Sequence, residues 1–597
     1  MFITFNGEKV YIPGAYSSTE IVSTLEGPTA SFQVPMLMGA ADYGIPYHFP
    51  EIKFSDEPAQ NPWIMCGDLT TLKRFFNRDS EIATAYETAA LHGLPYSYVA
   101  CMSKLTRETV VATSGAGPVV NEQTIYSRLA GAPGGFHKIS YTAAHVFTVI
   151  PVKDFSMLTA NAAGAATRVY VKSNSWVTDG MTLTIGGNAI VAETKVVATP
   201  GTGEELSSTG QKLYWIEFTT GLANPMTTAA YSLVCSHDAP IVGSALTTGQ
   251  KLYDWLNTDP AAKLVLGSKK ESTYTGTRPT TIAAATLMKE IATWGANTAG
   301  TSPKPALTDF TDFITDMDAS AWDDFIQVYD DVPRLFYVVD PTNTVHEAMR
   351  NWAIAKRSST TPGDYSIKVL TGCAWGDVVV ASGTTTSPTF RAQAIDNQDV
   401  VLVANGFNWQ AAYLSHAAAV FGMIVAGGVN HNLTQDRYVG IMAWEAKWNE
   451  RALGELTTLH KYGVLTNRLA VDNSGSYWVV SQGLSTLQAN SVSWNPDATT
   501  PLIQQRDLQD FVKRDLDFVL VRSQLGQDET DRNSITSALV ARATGYHYDN
   551  GFIEDGTYKI TSTALDPSGA GWVVGDTYRL PTTVDWITTV HRVLVGE

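Results

Sequence analysis

The sequence predicts a multidomain chain of mixed structure: an α/β (α+β) core with extended β segments at both ends and an inserted small β-sandwich or barrel. Three observations predict it. Apolar runs alternate with helix-period faces near residues 30–150 and again in the middle of the chain, which argues for α/β layers and a parallel sheet. Residues 155–240 change to short alternating runs separated by glycine pairs, the mark of a small all-β unit. Both ends are rich in β-formers yet carry no core of their own. At 597 residues the chain has room for roughly three to five domains. The shifts in pattern divide it into an N-terminal arm (1–30), an α/β domain (31–150), an inserted β domain (151–244), a second α/β domain (245–428), a C-terminal α/β core domain (429–577) and a C-terminal arm (578–597).

Taken in order, residues 2–12 read as a β-hairpin turning at Asn6-Gly7, a dipeptide that supplies the positive φ of a tight turn. Pro13-Gly14 breaks the pattern. Residues 32–39 are a buried strand ending at Gly39. Leu69, Leu72, Phe75 and Phe76 give residues 68–76 a helical face, residues 80–92 a second helix, and residues 96–102 a second strand. In the β segment, runs at 167–171, 181–185, 189–197 and 212–218 are strands, with Gly186-Gly187 and Gly201-Thr202-Gly203 as separators. Phe310, Phe313, Ile314 and Met317 line a helix, and a shorter helix follows near Trp322 and Phe325. Residues 334–340 form a strand, 346–356 a helix and 365–371 a strand, a βαβ series that implies a parallel sheet. Gly422, Gly427 and Gly428 suit close packing within the apolar stretch 417–429. Residues 448–462 are a helix stopped by Gly463, and 465–471 and 477–481 are strands around Asn473-Ser474-Gly475. Leu508, Phe511, Val512, Leu516 and Val519 line a long helix followed by Gly526. Ile535, Leu539, Val540 and Ala543 line another, expected to end at Gly545. Residues 578–595 are extended, with Pro581, Thr582, Thr583, Val584, Trp586, Ile587, Val590, Val593 and Val595.

Hydrophobic residues make up 44% and charged residues only 17%, so long solvated segments are not expected, and much of the surface is neutral. Such a surface suits contact with copies of itself. The 58 acidic and 41 basic residues leave a net charge of −17, which excludes a global basic footprint for nucleic acid. The first residues lack the basic start of a signal peptide, and the stretch 417–429 is too short to span a bilayer, so a soluble chain that is not exported by a classical route is expected. Cys66, Cys101, Cys235 and Cys373 show no CxxC spacing and are expected to be reduced and buried.

The sequence carries no specific catalytic motif. The phosphate loop, the dinucleotide glycine pattern, HExxH and GxSxG are all absent. His346-Glu347 opens like a zinc-protease helix, but Arg350 stands where the second histidine belongs. The aspartates from Asp309 to Asp331 lack the glycine and distal glutamate of a calcium loop and read as helix caps and a solvated face. His416 and His431 have no ligand partner at suitable spacing. No catalytic, cofactor or metal residue is expected.

Several segments resemble the tail sheath proteins of contractile phage tails. Val10-Tyr11-Ile12-Pro13-Gly14-Ala15-Tyr16 is similar to the PGVY-type opening of many sheath subunits. Residues 323–371, an acidic helix leading into an apolar strand, resemble the middle of that family. Residues 456–467 resemble its helix and short turn, here Gly463-Val464-Leu465-Thr466-Asn467. Residues 477–487 stand where many relatives carry Trp-Gly-x-Arg-Thr-Leu, without the arginine, and residues 533–551 resemble the late helix with its following glycine. The order of these segments carries the resemblance, which does not extend over the β insert.

The resemblance implies a structural subunit, with no enzyme activity and no cofactor, that polymerises in stacked, hexameric rings around a tail tube and contracts to drive the tube through the host envelope. It implies partners in further copies of itself, the tail tube protein, and baseplate and tail terminator proteins, with no direct nucleic acid contact and no membrane insertion. The location implied is the virion tail, assembled in the bacterial host cytoplasm. Val10, Tyr11, Ile12 and Tyr16 in the first arm, and Val584, Trp586, Ile587, Val590 and Val593 in the last, are the residues expected to reach neighbouring subunits. On the residues alone, two alternatives stay open: another self-assembling virion or surface-layer protein, and an α/β enzyme with a β module.

Overall fold

A run of five buried residues, Pro35–Gly39, lies at the middle of a sheet whose strands are apolar on both faces. In spatial order the seven strands are Val464–Leu465, Val400–Asn405, Lys368–Ala374, Leu335–Val338, Pro35–Gly39, Ser97–Cys101 and Ile64–Cys66. All pair in parallel except Ile64–Cys66, which runs antiparallel along Ser97–Cys101. A parallel sheet must be covered on both sides, and here side chains alternate between two cores. Leu37, Val99, Leu335 and Tyr337 face one; Met36, Met38, Tyr98, Phe336 and Val338 face the other. Helices Glu81–Leu91 and Ala412–Gly427 cover the first face, and Leu307–Asp316 and Asn343–Arg357 the second. The computed structural model describes residues 3–5, 8–10, 34–45, 63–112, 123–206, 212–268, 282–291, 297–317, 333–340, 342–357, 366–374, 387–405, 412–429, 431–439, 453–472, 475–488, 502–523, 532–565 and 572–581.

Local chemistry sets many helix ends. Asp68 caps Leu69–Phe75 by accepting from Thr71 N at 2.7 Å, and Ser80 caps Glu81–Leu91 through Ala83 N at 3.0 Å. Asp309 is a capping residue, as the sequence suggests: its carboxylate accepts from Ala306 N at 2.7 Å while Lys104 neutralises it at 2.9 Å. Gly422 allows the closest helix contact. A Cβ built there would lie 2.2 Å from the Ala89 carbonyl oxygen.

Residues 152–237 form an antiparallel barrel. Its order is Val152–Met157, Leu233–His237, Thr182–Gly187, Ile190–Leu206, Lys212–Phe218 and Arg168–Val171. The first and last strands close it where Thr159 N donates to Tyr170 O at 2.9 Å and Lys172 N to Met157 O at 3.0 Å. Leu183, Ile185, Val169, Val171, Ile216 and Phe218 fill the interior. One expectation fails here. Gly201-Thr202-Gly203 does not separate strands; it lies inside the strand Ile190–Leu206, with Gly201 within the register shift between Val197 and Thr202 and Gly203 beyond it. Gly203 serves packing instead, since a Cβ there would come within 2.3 Å of the Trp215 indole, over which Arg168 is stacked at 4.1 Å.

The described strands within 109–150 and 245–298, which the sequence assigns to α/β layers, form two four-stranded antiparallel sheets together with Ile241–Gly243 from the end of the insert, not βαβ units. They share one core with the helix Gly249–Thr258. Their strands are two to six residues long, so each carries too little pattern to distinguish an antiparallel ladder from a buried one.

The C-terminal region contains helices Leu453–Lys461, Ile503–Ser523 and Arg532–Arg542 and the hairpins Asn467–Asp472/Gly475–Val480 and Lys559–Leu565/Trp572–Thr577. Gly463, at φ +69°, follows the first helix as expected. Gly545 does not end the last one. A wide turn, Ala543–His547, carries the chain past it, because His547 is drawn in to place Nε2 2.9 Å from the buried Asp515 carboxylate. The short helix expected near Trp322 and Phe325 lies outside the described residues. All four cysteines are buried and unpaired.

Candidate assembly surfaces

Polymerisation by strand addition needs an open strand edge. The large sheet offers little, because its outer strands are three and two residues long. Among the described residues, three two-stranded sheets offer more: Ile3–Phe5/Glu8–Val10, Asn467–Asp472/Gly475–Val480 and Lys559–Leu565/Trp572–Thr577. An isolated two-stranded sheet is marginal in water and gains from a third strand. The middle hairpin already uses part of one edge, where Arg437 bridges Val479. The last hairpin has strands of seven and six residues.

That last hairpin is held rigidly on the helices below it. Ile560, Val574 and Tyr578 pack on a core of Phe511, Val512, Leu516, Ile535, Leu539, Ile553 and Tyr558. Tyr558 donates to Asp576 at 2.9 Å and accepts no competing role at its amide, which donates to the Tyr548 hydroxyl at 2.9 Å. The Tyr558 and Tyr578 rings stack at 6.4 Å. Glu554 N donates to Arg579 O at 2.9 Å. The chain is therefore fixed in direction up to its approach to Pro581.

The segments around Gly463 and Ser485 meet in space. A Cβ on Gly463 would lie 2.4 Å from Ser485 O, and Leu484 and Leu487 are buried beside it. Thr486 N donates to Val400 O at 2.8 Å, and Thr486 Oγ1 to Asn397 O at 3.0 Å. His460 Nε2 lies 2.7 Å from Ser481 Oγ, which donates to Thr466 O at 2.7 Å. These bonds clamp the C-terminal region to the edge of the large sheet.

A cluster of buried charges makes a second join. Arg357 pairs with Asp399 at 2.9 Å and Asp510 at 2.8 Å, Arg506 with Asp399 at 2.7 Å and Asp510 at 3.5 Å, and Lys368 with Asp507. Burial alone would raise the Asp510 pKa, but Arg357 and Arg506 override it and hold the carboxyl well below its ordinary value. Burial pushes the Lys368 ammonium down to about 7.

The barrel joins the body at a third place. Lys172 Nζ donates to Asp42 at 2.7 Å, Lys289 Nζ to the carbonyls of Gly187 and Ile190 at 2.7 and 2.8 Å, and Asn188 Nδ2 to Gly300 O at 2.8 Å. Val152 N donates to His137 Nδ1, so His137 Nε2 carries the proton and donates to Tyr43 at 3.0 Å. Burial drives the His137 pKa down to about 3, which keeps the ring neutral.

Of the residues expected at subunit contacts, Val10 ends the strand Glu8–Val10 opposite Ile3. Tyr11, Ile12, Tyr16, Val584, Trp586, Ile587, Val590 and Val593 lie outside the described residues. The buried charge cluster was not expected from sequence. Its signal was Arg506, Asp507 and Asp510 on a helix whose neighbouring positions Leu508, Phe511 and Val512 are core residues. Among the described residues no group of three or more His, Cys, Asp or Glu side chains is placed to hold a metal, and no helix is long and apolar enough to cross a membrane.

No protein-family model matches this sequence, and no curated protein does. Among solved structures, the chain is similar to the sheath tail protein of Desulfitobacterium hafniense, at 11% identity and TM-score 0.47, over 95% of this chain and 100% of that one. It is similar to a sheath tail protein of Listeria innocua at 11% identity and TM-score 0.47, over 92% of each chain. It is also similar to the helical sheath of the anti-feeding prophage in its contracted state, at 13% identity and TM-score 0.34, over 50% of this chain and 78% of that one.

Proposed function

We propose that this chain is a structural subunit of a contractile tail sheath. It polymerises around a tail tube through its two chain ends and contracts to drive the tube through a cell envelope. The role is mechanical, not catalytic. The observation that carries the reading is the distribution of strand edges among the described residues: the outer strands of the large sheet are three and two residues long, whereas the hairpins Ile3–Phe5/Glu8–Val10 and Lys559–Leu565/Trp572–Thr577 pair there with no third strand. The ordered series of sheath-like segments in the sequence supports it, and two of those segments pack together at Gly463 and Ser485.

Strand addition supplies the physics. Each main-chain hydrogen bond contributes about 1 kcal/mol net, whereas ordering a free residue costs about 1–2 kcal/mol. Hydrogen bonding alone therefore leaves an added arm near balance. Apolar burial of Trp586, Ile587 and their neighbours would decide the outcome, at about 1.5–3 kcal/mol for each large side chain. Partners in this reading are further copies in stacked, hexameric rings, the tail tube, and baseplate and terminator proteins. Domains 31–150, 245–428 and 429–577 would form the body, and the 151–244 unit would sit on the outside.

Negative-stain microscopy of the purified chain tests the proposal. Hollow tubes or stacked rings are expected. Flat lattices would favour a surface-layer role, and stable monomers with intact termini would refute both. Deleting residues 1–20 or 578–597 should leave a folded body that no longer polymerises; tubes formed by either truncated chain would refute the arm mechanism.

A further inference from the structure

The last helical region has a core separate from those of the large sheet. Phe511, Val512, Leu516, Ile535, Leu539, Ala543, Ile553 and Tyr558 form it, and the partly buried residues packed on it come from the same region except Val429. Ile503, at the first turn of Ile503–Ser523, belongs instead to a core of the sheet. Between these two apolar anchors the join is ionic. Arg357 ends the helix Asn343–Arg357, Lys368 begins the strand Lys368–Ala374, and Asp399 precedes the strand Val400–Asn405. Facing them from one helix are Arg506, Asp507 and Asp510. Three positive charges meet three negative ones, with side chains at most 12% exposed. Tyr578 packs on the core that contains Phe511 and Val512, which follow Asp510 on the same helix.

We propose that this six-charge cluster is a latch that holds the helices Ile503–Ser523 and Arg532–Arg542 and the hairpin Lys559–Leu565/Trp572–Thr577 on the sheet as a separable rigid unit and so fixes the direction of the chain through Tyr578 and Arg579. A buried, matched ionic contact suits that task. Removing one partner strands a charge in a low dielectric, whereas removing a matched pair does not. An apolar seam would slide, but paired guanidinium and carboxylate groups define one register. When the unit opens as a whole, both of its helices and its hairpin lose protection together while the sheet stays closed. The inference is independent of the sheath reading, since it concerns how one chain is held together.

Hydrogen exchange on the full chain tests it. Arg357→Met and Asp510→Leu, singly, should speed amide exchange about a hundredfold across Ile503–Ser523, Arg532–Arg542 and the last hairpin. The strands Pro35–Gly39 and Leu335–Val338 should keep their protection. The double variant leaves Arg506–Asp399 and Lys368–Asp507 matched and should recover most of the loss. If the single variants unfold, the unaltered protein in low urea decides. Ile503–Ser523, Arg532–Arg542 and the last hairpin should then exchange through an opening with its own urea dependence, apart from the sheet. One shared opening for sheet and C-terminal unit, or a double variant no better than the singles, overturns the proposal.

Discussion

Replacing Gly422 by alanine sets two effects against each other at one atom. Gly422 lies within Ala412–Gly427, where alanine is intrinsically favoured over glycine by about 1 kcal/mol. Against this, the new Cβ would stand 2.2 Å from Ala89 O, 3.0 Å from its carbonyl carbon and 3.1 Å from its Cα. The first distance is about 1 Å inside contact, and the obstacle is backbone of Glu81–Leu91, which cannot rotate away. The two helices must part, and overpacking of this kind costs about 1–3 kcal/mol, toward the upper end here. The expected net result is a loss of about 1–2 kcal/mol, since the propensity gain offsets part of the clash. Gly545→Ala is the matched control. No atom lies within 4 Å of its added Cβ, and a gain of up to about 1 kcal/mol is expected. Urea unfolding combined with hydrogen exchange in Glu81–Leu91 and Ala412–Gly427 reads both. If Gly422→Ala is as stable as the parent, the close helix approach does not govern this core and the reasoning fails.

Further outcomes follow from other contacts. Asp510 and Asp515 are buried, which would raise their pKa values, yet Arg357 with Arg506, and His547 with Arg542, hold them below 3.8. The unfolded chain therefore binds more protons in acid, so this stability is present above 3.8 and is lost as pH falls below it. His137 acts in the same direction over a higher window: kept neutral down to about 3 against an ordinary 6.5, it withdraws stability as pH falls below 6.5. Glu108, which burial raises from 4.5 to about 7, acts in the opposite sense between pH 7 and 4.5. Denaturant midpoints should therefore fall most clearly from pH 4.5 to pH 3, and a flat profile in that window would contradict both assignments. Gly203→Val should displace the Trp215 indole and raise exchange in Ile190–Leu206 and Lys212–Phe218, while the large sheet is unaffected. Excising residues 155–240 should spare tube formation in the microscope; lost assembly would show that the barrel takes part in it.

Local signals in the sequence were sufficient wherever neighbours in the chain settle the structure. Asp68 and Ser80 announce helix starts, Gly463 a helix end, Asn6-Gly7 a hairpin, and the phenylalanines at 310 and 313 a buried face, and each appears where the local pattern places it. The sheath-like segments belong to the same class, because they are short and ordered along the chain. What pairs with what could not be read in this way. Pro35–Gly39 lies beside Leu335–Val338, three hundred residues later, so one sheet draws its strands from segments that sequence pattern alone separates into 31–150, 245–428 and 429–577. Strand identity depends on alternation within a few residues, but strand partners depend on which apolar faces can be covered together. The same holds for the functional surfaces. Val10 and its hairpin are legible from one dipeptide, whereas the latch joins charges from two helices, a strand and the residue before another strand, and Gly203 reveals its purpose only against Trp215. Local pattern is enough for the buried strands of the large sheet and for helix ends such as Asp68, Ser80 and Gly463, but not for Gly201-Thr202-Gly203, Gly545 or the short strands within 109–150 and 245–298. Which strands of the large sheet lie at its edges and where buried charges find their partners follow from contacts between residues far apart in the chain, which no local pattern encodes.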